Sequence, residues 1–598
     1  MKRKLLVMAG ALLLAVGAAI PARAQDPDDL KRGVARISFM EGEVSVRRGD
    51  SGEWVAGVIN APLLTDDRIG TGQNSRAEVE FDAANILRIG GNAEIHIALL
   101  ENGRYQLEIA RGTVTFRVLR PSNASVELNT PSVSVRPARE GTFRVSVSES
   151  AETEITSRAG DVEVFTPKGS QWVYNGQTMM ARGTAADPEF QMASAIAVDD
   201  WDRWNDSRDH SEQSSNSYQY VPQGVYGAED LDAAGTWANV APYGYVWRPT
   251  TVGPGWAPYR NGRWVWMNWY GWTWVSYDSW GWAPYHYGRW FFDARWGWNW
   301  YPGVMGVRHY WSPAQVGFFG YGGGVGVGAG FGFANIGWVP LAPYETFRPW
   351  WGAAYAGGLN RNISVANVNV TGIYRNARVA NGISGMAATD FSAGRFSNVQ
   401  RVSGSQVQTA GLVTGRVPLN PSVASRRFSD RTVANVPRSS ANTQFFSRNG
   451  GQGTATPSAG IRPAAAAQGQ SGYHRFGEPG NGASQNTRPA QAAPGSNAAG
   501  QRQGSLQRFG EPASNQGAPR NDRPPAAQGG NGNWKSFGVP GTSTPAPRQP
   551  YNPPQSRPSV SAPAPQRSAP GSSAPRSAPV PSHPSGGGGH ASGGGAHR

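Results

Sequence analysis

Along residues 34–183 apolar positions recur with a period of two. Glu43-Val44-Ser45-Val46-Arg47 alternates, as do Thr113-Val114-Thr115-Phe116-Arg117-Val118 and Asp161-Val162-Glu163-Val164. Alternation of this kind marks strands with one buried face. Each run follows a glycine (Gly42, Gly112, Gly160), the residue a turn at positive φ prefers. The pattern predicts a β domain, rolled or solenoid-like, over 34–183. At Asp187 the spacing changes. Asp187-Pro188-Glu189 reads as a helix start, and Phe190, Ala193, Ala197, Trp201 and Trp204 follow at threes and fours, predicting a linker helix over 187–209. Asp199, Asp200, Asp202 and Asp206 sit on it. They read as a solvated face, with a divalent-cation or acid–base cluster as the alternative.

Residues 218–350 follow another rule. Gly255-Trp256-Ala257-Pro258-Tyr259-Arg260-Asn261-Gly262-Arg263-Trp264 returns 26 residues later as Gly281-Trp282-Ala283-Pro284-Tyr285-His286-Tyr287-Gly288-Arg289-Trp290. Gly271-Trp272-Thr273-Trp274 is answered by Gly297-Trp298-Asn299-Trp300, and a weaker copy surrounds Tyr245-Val246-Trp247. Fifteen of the 23 Trp fall between Trp237 and Trp311. Asn261-Gly262 between aromatic runs predicts a tight hairpin turn, with Tyr270-Gly271 as the next. The region therefore reads as tandem β-hairpins. With so few aliphatic residues, the rings themselves must supply the core, and Arg263 and Arg289 are expected to stack on them. The competing reading is a binding surface made of Trp256, Tyr259, Arg263, Trp264, Trp282, Tyr285, Arg289 and Trp290, with rings stacking on sugars.

The two ends differ from both. Lys2, Arg3 and Lys4, an apolar run to Ile20, and Ala22-Arg23-Ala24 form a secretory signal over 1–24, cleaved after Ala24. The mature chain is then expected in the periplasm or secreted, with no transmembrane helix. The glycine run over 320–333 reads as a surface loop rather than a span. Residues 351–400 read as a transition, and 401–598, rich in Pro, Gly, Ser and Arg, as a disordered tail. Phe476, Phe509 and Phe537 each sit in an aromatic-basic-Phe-Gly-x-Pro island of that tail and are candidate docking residues.

Charge and composition sharpen the picture in three places. The formal net charge is +14, yet from Arg395 onward 20 Arg and one Lys face four acids, so the positive field belongs to the tail. Anionic envelope polymers and lipids, such as lipopolysaccharide, are its natural partners, whereas nucleic acid is not expected outside the cell interior. There is no cysteine, which excludes disulfides and thiolate chemistry. The eight His are scattered without a nucleophile, phosphate-loop or zinc pattern, so no catalytic residue, cofactor or metal site is expected and the chain is read as non-enzymatic.

Two resemblances follow from these pieces. Glu41-Gly42-Glu43-Val44-Ser45-Val46, Asn60-Ala61-Pro62-Leu63-Leu64-Thr65-Asp66-Asp67-Arg68-Ile69, Ser75-Arg76-Ala77-Glu78-Val79-Glu80-Phe81, Arg111-Gly112-Thr113-Val114, Asn129-Thr130-Pro131, Glu140-Gly141-Thr142-Phe143-Arg144-Val145 and Asn175-Gly176-Gln177 come in the order of a FecR-like domain, which this stretch resembles. The likeness implies a β-rich periplasmic interaction domain. Well-known members relay a signal through an N-terminal cytoplasmic segment, and here a cleavable signal stands in its place. The leader, the repeats, Trp338-Val339-Pro340-Leu341-Ala342-Pro343-Tyr344-Glu345 and Phe347-Arg348-Pro349-Trp350 together resemble exported bacterial proteins that join such a domain to a Trp-rich repeat region of unknown function. The expectation is thus a mainly β, non-catalytic envelope scaffold or interaction module. A peptidoglycan or glycan binder and a periplasmic signalling component are the alternatives.

Overall fold

The computed structural model describes residues 31–447, apart from 185–186, 323–332, 353–363, 435, 438–439 and 441–442. The signal segment, most of the glycine run and the tail islands at Phe476, Phe509 and Phe537 lie outside the described residues.

Seventeen strands build the first domain, and they form two layers. The layers share one 15-residue strand, Arg104–Val118. Its first half pairs with Glu94–Glu101 and Ser125–Asn129, its second half with Asn85–Ile89 and Gly141–Val147. The strand changes layer at Gly112, where φ is +91° and a Cβ would lie 2.5 Å from Ala93. Gly42 and Gly160 are also at positive φ, as the sequence pattern requires. Inward residues such as Val46, Ile95, Leu107, Phe116, Val145 and Val164 form the core between the layers.

The linker differs from its prediction. Asp187–Ser194 is a strand, paired along its length with Gln177–Thr184, so the β domain runs to 194. Pro188 and Phe190 alternate into the core, and this period of two decides the element over the helical spacing. The helix, α1, spans Asp200–Gln213. Asp199 caps it and forms a capping box with Asp202.

The second domain contains the expected hairpins: 235–249, 262–276 and 289–301. Each obeys one rule. A Gly-x-Trp segment faces a Trp near the end of the returning strand, giving the opposed pairs Trp237–Trp247, Trp264–Trp274 and Trp290–Trp300. The glycine makes room for the partner indole. A Cβ on Gly235, Gly262 or Gly288 would come within 2.5, 2.6 or 2.7 Å of Trp247, Trp274 or Trp300. The turns fall between the strands, at 268–270 in the second hairpin, where Trp269 is at φ +70°. Asn261-Gly262 is therefore not the hairpin turn. Its glycine is needed beneath an indole instead.

A six-stranded sheet completes this domain with Val316–Tyr321, Asn335–Pro340, Ser364–Val368, Ser384–Ala387, Gln400–Arg401 and Ala410–Val413. The 351–400 segment thus belongs to the fold where it is described, and the ordered chain continues past 401. Phe428 is fully buried, Asp430 pairs with Arg263 at 2.9 Å, and Phe446 donates its N–H to Thr130 of the first domain. A few apolar side chains (Val402, Val407, Leu412, Phe428) anchor a segment whose average composition hides them. Val316–Tyr321 and Asn335–Pro340 pair antiparallel, from Val316 with Pro340 to Tyr321 with Asn335. Among the described residues, no helix is long and apolar enough to cross a membrane.

Candidate functional site: the domain junction and its aromatic cleft

The repeat residues with candidate binding roles are interior. Tyr259, Trp264, Trp282, Tyr285 and Trp290 are fully buried, Arg263 nearly so, and Trp256 and Arg289 are half-buried. Trp264 is at the centre, with Trp274, Phe318 and Trp338 rings 5.3, 4.8 and 5.7 Å away. Burial accounts for them, since each ring removes a large apolar area from water and its edge-to-face contacts add about 0.5–1.5 kcal/mol per pair. The two equivalent arginines do stack, but on rings outside the repeat: Arg263 over Phe396 and Arg289 over Phe347, each at 5.5 Å. Arg263 also donates to the Gly394 carbonyl at 2.7 Å. His286, which takes the place of Arg260, is buried against Trp311 and bonds the Ser312 carbonyl. Burial pushes its pKa down to about 3, so it is neutral.

The ionisable groups gather elsewhere, at the junction of the domains. Helix α1 lies on the outer face of one β layer. Its Asp202 meets Arg144 at 3.1 Å and Arg158 at 2.6 Å, and its Asp209 meets Arg88 and Arg117 at 2.5 Å each. Asp199 meets Arg144 at 2.8 Å. These acids are structural ion-pair partners, while Asp200 pairs at the exposed surface with Arg203. Deeper in, fully buried Arg36 joins Glu80 of its own domain to Glu229 and Asp230 of the next. Glu78, Glu80 and Glu212 bring carboxylate oxygens within 4.8 Å of one another. Guanidinium groups supply the positive charge there: Arg88 and Arg208 hold Glu78, and Arg208 also holds Glu212. Burial pushes Glu78 up, but Arg88 and Arg208 outweigh it and hold its pKa at about 2. Burial and neighbouring carboxylates push Glu80 and Glu212 up, and Asp230 up to about 6.

Beside this junction is a cleft of about 610 Å³. The first domain supplies Arg32, Asp82, Glu101 and Asn102 to its wall, and the second supplies Trp269, Tyr270, Tyr310, Trp311 and Trp351. Arg308 crosses it, donating to Asn102 Oδ1 at 3.0 Å. Arg32 lies 3.9 Å from the Trp269 ring centre. The buried Tyr226 hydroxyl donates to the Val34 carbonyl at 2.5 Å and ties the two domains at the cleft floor. A second cavity of about 370 Å³ adjoins it across Tyr287, His309 and Tyr310, and is walled by Tyr301, Tyr344 and Phe347. None of Trp269, Tyr310 or Tyr344 belongs to the repeat's matched positions, so periodicity gave no signal for them. Two of the three have a mark visible in the backbone: Trp269 and Tyr344 are bulky residues at φ +70° and +68°.

Residues 67–163 match the FecR protein family, and residues 228–345 match a family of unknown function, DUF6600. Each match falls inside one of the two domains described above. No curated protein matches the chain. Two crystal structures of a candidate anti-sigma factor from Parabacteroides distasonis are similar at 14% and 15% identity, with TM-scores of 0.20 and 0.19. Each covers 22% of this chain, and the chain spans 60% of theirs.

Proposed function

We propose that the protein is a non-catalytic component of the bacterial cell envelope whose two domains act together as one binding module. The observation that carries this is the aromatic cleft at their junction. Its walls come from both domains, and buried ion pairs and the Tyr226 bond fix them relative to each other. Ligand sites favour such domain boundaries, and this one sets the rings of Trp269, Tyr270, Tyr310 and Trp311 among charged and amide side chains. Rigid walls lose little freedom on binding, which favours affinity. The strongly perturbed carboxylates lie in the ion-paired junction rather than in the cleft, in keeping with a binding role and not an acid–base one. The FecR match fits a signalling-related periplasmic component, in which an occupied cleft would be the state reported to a partner.

A photo-crosslinking amino acid in place of Tyr310, in the cells that export the protein, tests the reading. Tyr310 is 40% exposed and borders both cavities. The comparison position is Trp172, exposed on the first domain. The expected result is an envelope adduct at 310 that is absent at 172. No adduct at 310, or the same adducts at both, would sink the proposal.

A further inference from the structure

We infer that the two adjoining cavities form one track for a saccharide strand, with Tyr310 and Tyr344 as its stacking platforms. The inference rests on the cleft being the recognition site and names the ligand class it takes. Three observations lead there.

The first is continuity. Tyr287, His309 and Tyr310 border both the 610 Å³ cleft and the 370 Å³ cavity, so the two are adjacent compartments that share a ring-bearing wall. A compact ligand needs one compartment; a chain of similar units uses both.

The second is placement. Trp269 and Tyr344 hold a left-handed backbone at turns, as does the fully buried Tyr259. For Tyr344 the conformation does not serve burial: the side chain is 71% exposed, at the edge of a ring group with Tyr243 and Tyr301, each 6.2 Å away. The left-handed backbone belongs to the Ala342–Glu345 turn, closed by the Glu345 N–H on the Ala342 carbonyl at 3.1 Å, and this turn carries the ring out to solvent beside the second cavity.

The third is charge. The wall of the larger cleft carries two guanidinium groups, Arg32 and Arg308, and two carboxylates, Asp82 and Glu101. His309 is pushed toward its neutral form by burial. A balanced wall does not select an ionic ligand such as a phospholipid head group or a nucleic acid. Planar amide and guanidinium groups beside open rings suit a pyranose strand instead. Its C–H faces stack on the negative face of each ring, and its vicinal hydroxyls meet Asn102, Asn123, Gln223 or Arg32 at the wall. The site is thus distinct from the repeat rings, which are core.

The test is calorimetric titration of the full mature chain with three probes: chitohexaose, muramidase-released peptidoglycan fragments, and the lipid-free polysaccharide of lipopolysaccharide. The first two report a peptidoglycan source and the third an outer-surface source. Tyr310→Ala and Tyr344→Ala remove exposed rings and should each weaken binding by about fivefold, the value of one stacked pair. Trp172→Ala should leave it unchanged, and near-UV circular dichroism checks that each variant is folded. Saccharide binding indifferent to both tyrosine substitutions, or absent for all three probes, overturns the inference. If no saccharide binds but a peptidoglycan stem peptide does, and Tyr310→Ala abolishes that, the saccharide inference falls while the cleft reading stands. If neither class binds and position 310 captures nothing in cells, both fall together.

Discussion

Arg36 is the residue on which the junction turns. Its guanidinium meets Glu80 at 2.9 Å and Glu229, both away from bulk water, and Asp230 at 2.5 Å, whose side chain is 26% exposed. Arg36→Met keeps most of the aliphatic volume and removes the charge. Removing one member of a buried ion group costs about 3–5 kcal/mol, because the partners left behind stay desolvated without compensation. The loss must depend on pH, and its sign follows from the carboxylates. Burial pushes Asp230 from 3.8 up to about 6 and pushes Glu80 up as well, against the opposing pull of Arg36. A carboxyl raised in the folded state stabilises it below the unfolded value, and that stability is lost as pH rises through the folded value. Without Arg36 both groups rise further, so the variant suffers most when they are ionised and least when they are protonated. The penalty should approach the full value near about pH 8 and shrink by half or more near about pH 5.

Two other groups do not confuse that window. Glu78, held at about 2, stays ionised throughout it. His286 acts in the opposite direction: with its pKa held at about 3, it stabilises the fold above 6.5 and loses that contribution as pH falls. The loss is common to both chains and cancels in their difference. The assay is urea unfolding of the full mature chain and the Arg36→Met variant, followed by near-UV circular dichroism of the tryptophans at both pH values. A difference below about 1 kcal/mol at pH 8, or one equal at the two pH values, would refute the claim that Arg36 compensates buried carboxylates.

Two further predictions concern the second domain and the segment that follows it. Phe428 is fully buried, with Arg48 of the first domain 5.1 Å from its ring and the Tyr277 hydroxyl on its carbonyl. Phe428→Ala should cost about 3–5 kcal/mol in urea unfolding, whereas a residue in an unfolded tail would cost nothing measurable. Gly262→Ala should destabilise by about 1–3 kcal/mol, since the new methyl meets the Trp274 indole at 2.6 Å and the Val275 carbonyl at 2.4 Å. At Gly297 no atom lies within 4 Å, so alanine there should show only the smaller cost of its φ of +80°. Equal losses at the two glycines would remove the steric account of the repeat.

The parts legible in the sequence are those that one local period decides. Alternation over Val44–Arg47, Thr113–Val118 and Val162–Val164 predicts the strands because each has one buried face. Of the two turn signals in the repeat, Tyr270-Gly271 falls where the second hairpin turns, whereas Asn261-Gly262 lies at a strand start. The failures come where tertiary partners decide. Residues 187–194 satisfy both a helical and an alternating pattern, and the waiting edge of Gln177–Thr184 selects the strand. Asp200 and Asp206 are exposed as the sequence predicts, but Asp202 is buried, because its partners Arg144 and Arg158 lie on two separate strands. Residues 401–447 look tail-like because their few anchors are diluted by polar neighbours, yet Ala410–Val413 has a strand to pair with in Val316–Tyr321.

The repeat itself explains why its matched rings are core. A duplicated unit preserves what the hairpin needs: the glycine, the opposed indoles and the buried Tyr259 and Tyr285. Those are the residues a repeat search highlights, and they are the ones most committed to the core. Function needs a difference between copies, and the differences lie between the matched positions. Arg260 reaches the Asn381 and Ile383 carbonyls, whereas His286 in its place is buried on Trp311, the ring that closes the cleft wall. Trp269 occupies the turn of one hairpin, and its counterpart Arg295 lies within reach of an exposed Trp296. Only the first of those turns faces the β domain, where Arg32 covers its ring. The symmetric residues therefore make the scaffold, and the asymmetric turns that touch the first domain make the cleft. A binding defect without loss of folding should map to Tyr310 and Tyr344, and loss of folding to the paired tryptophans.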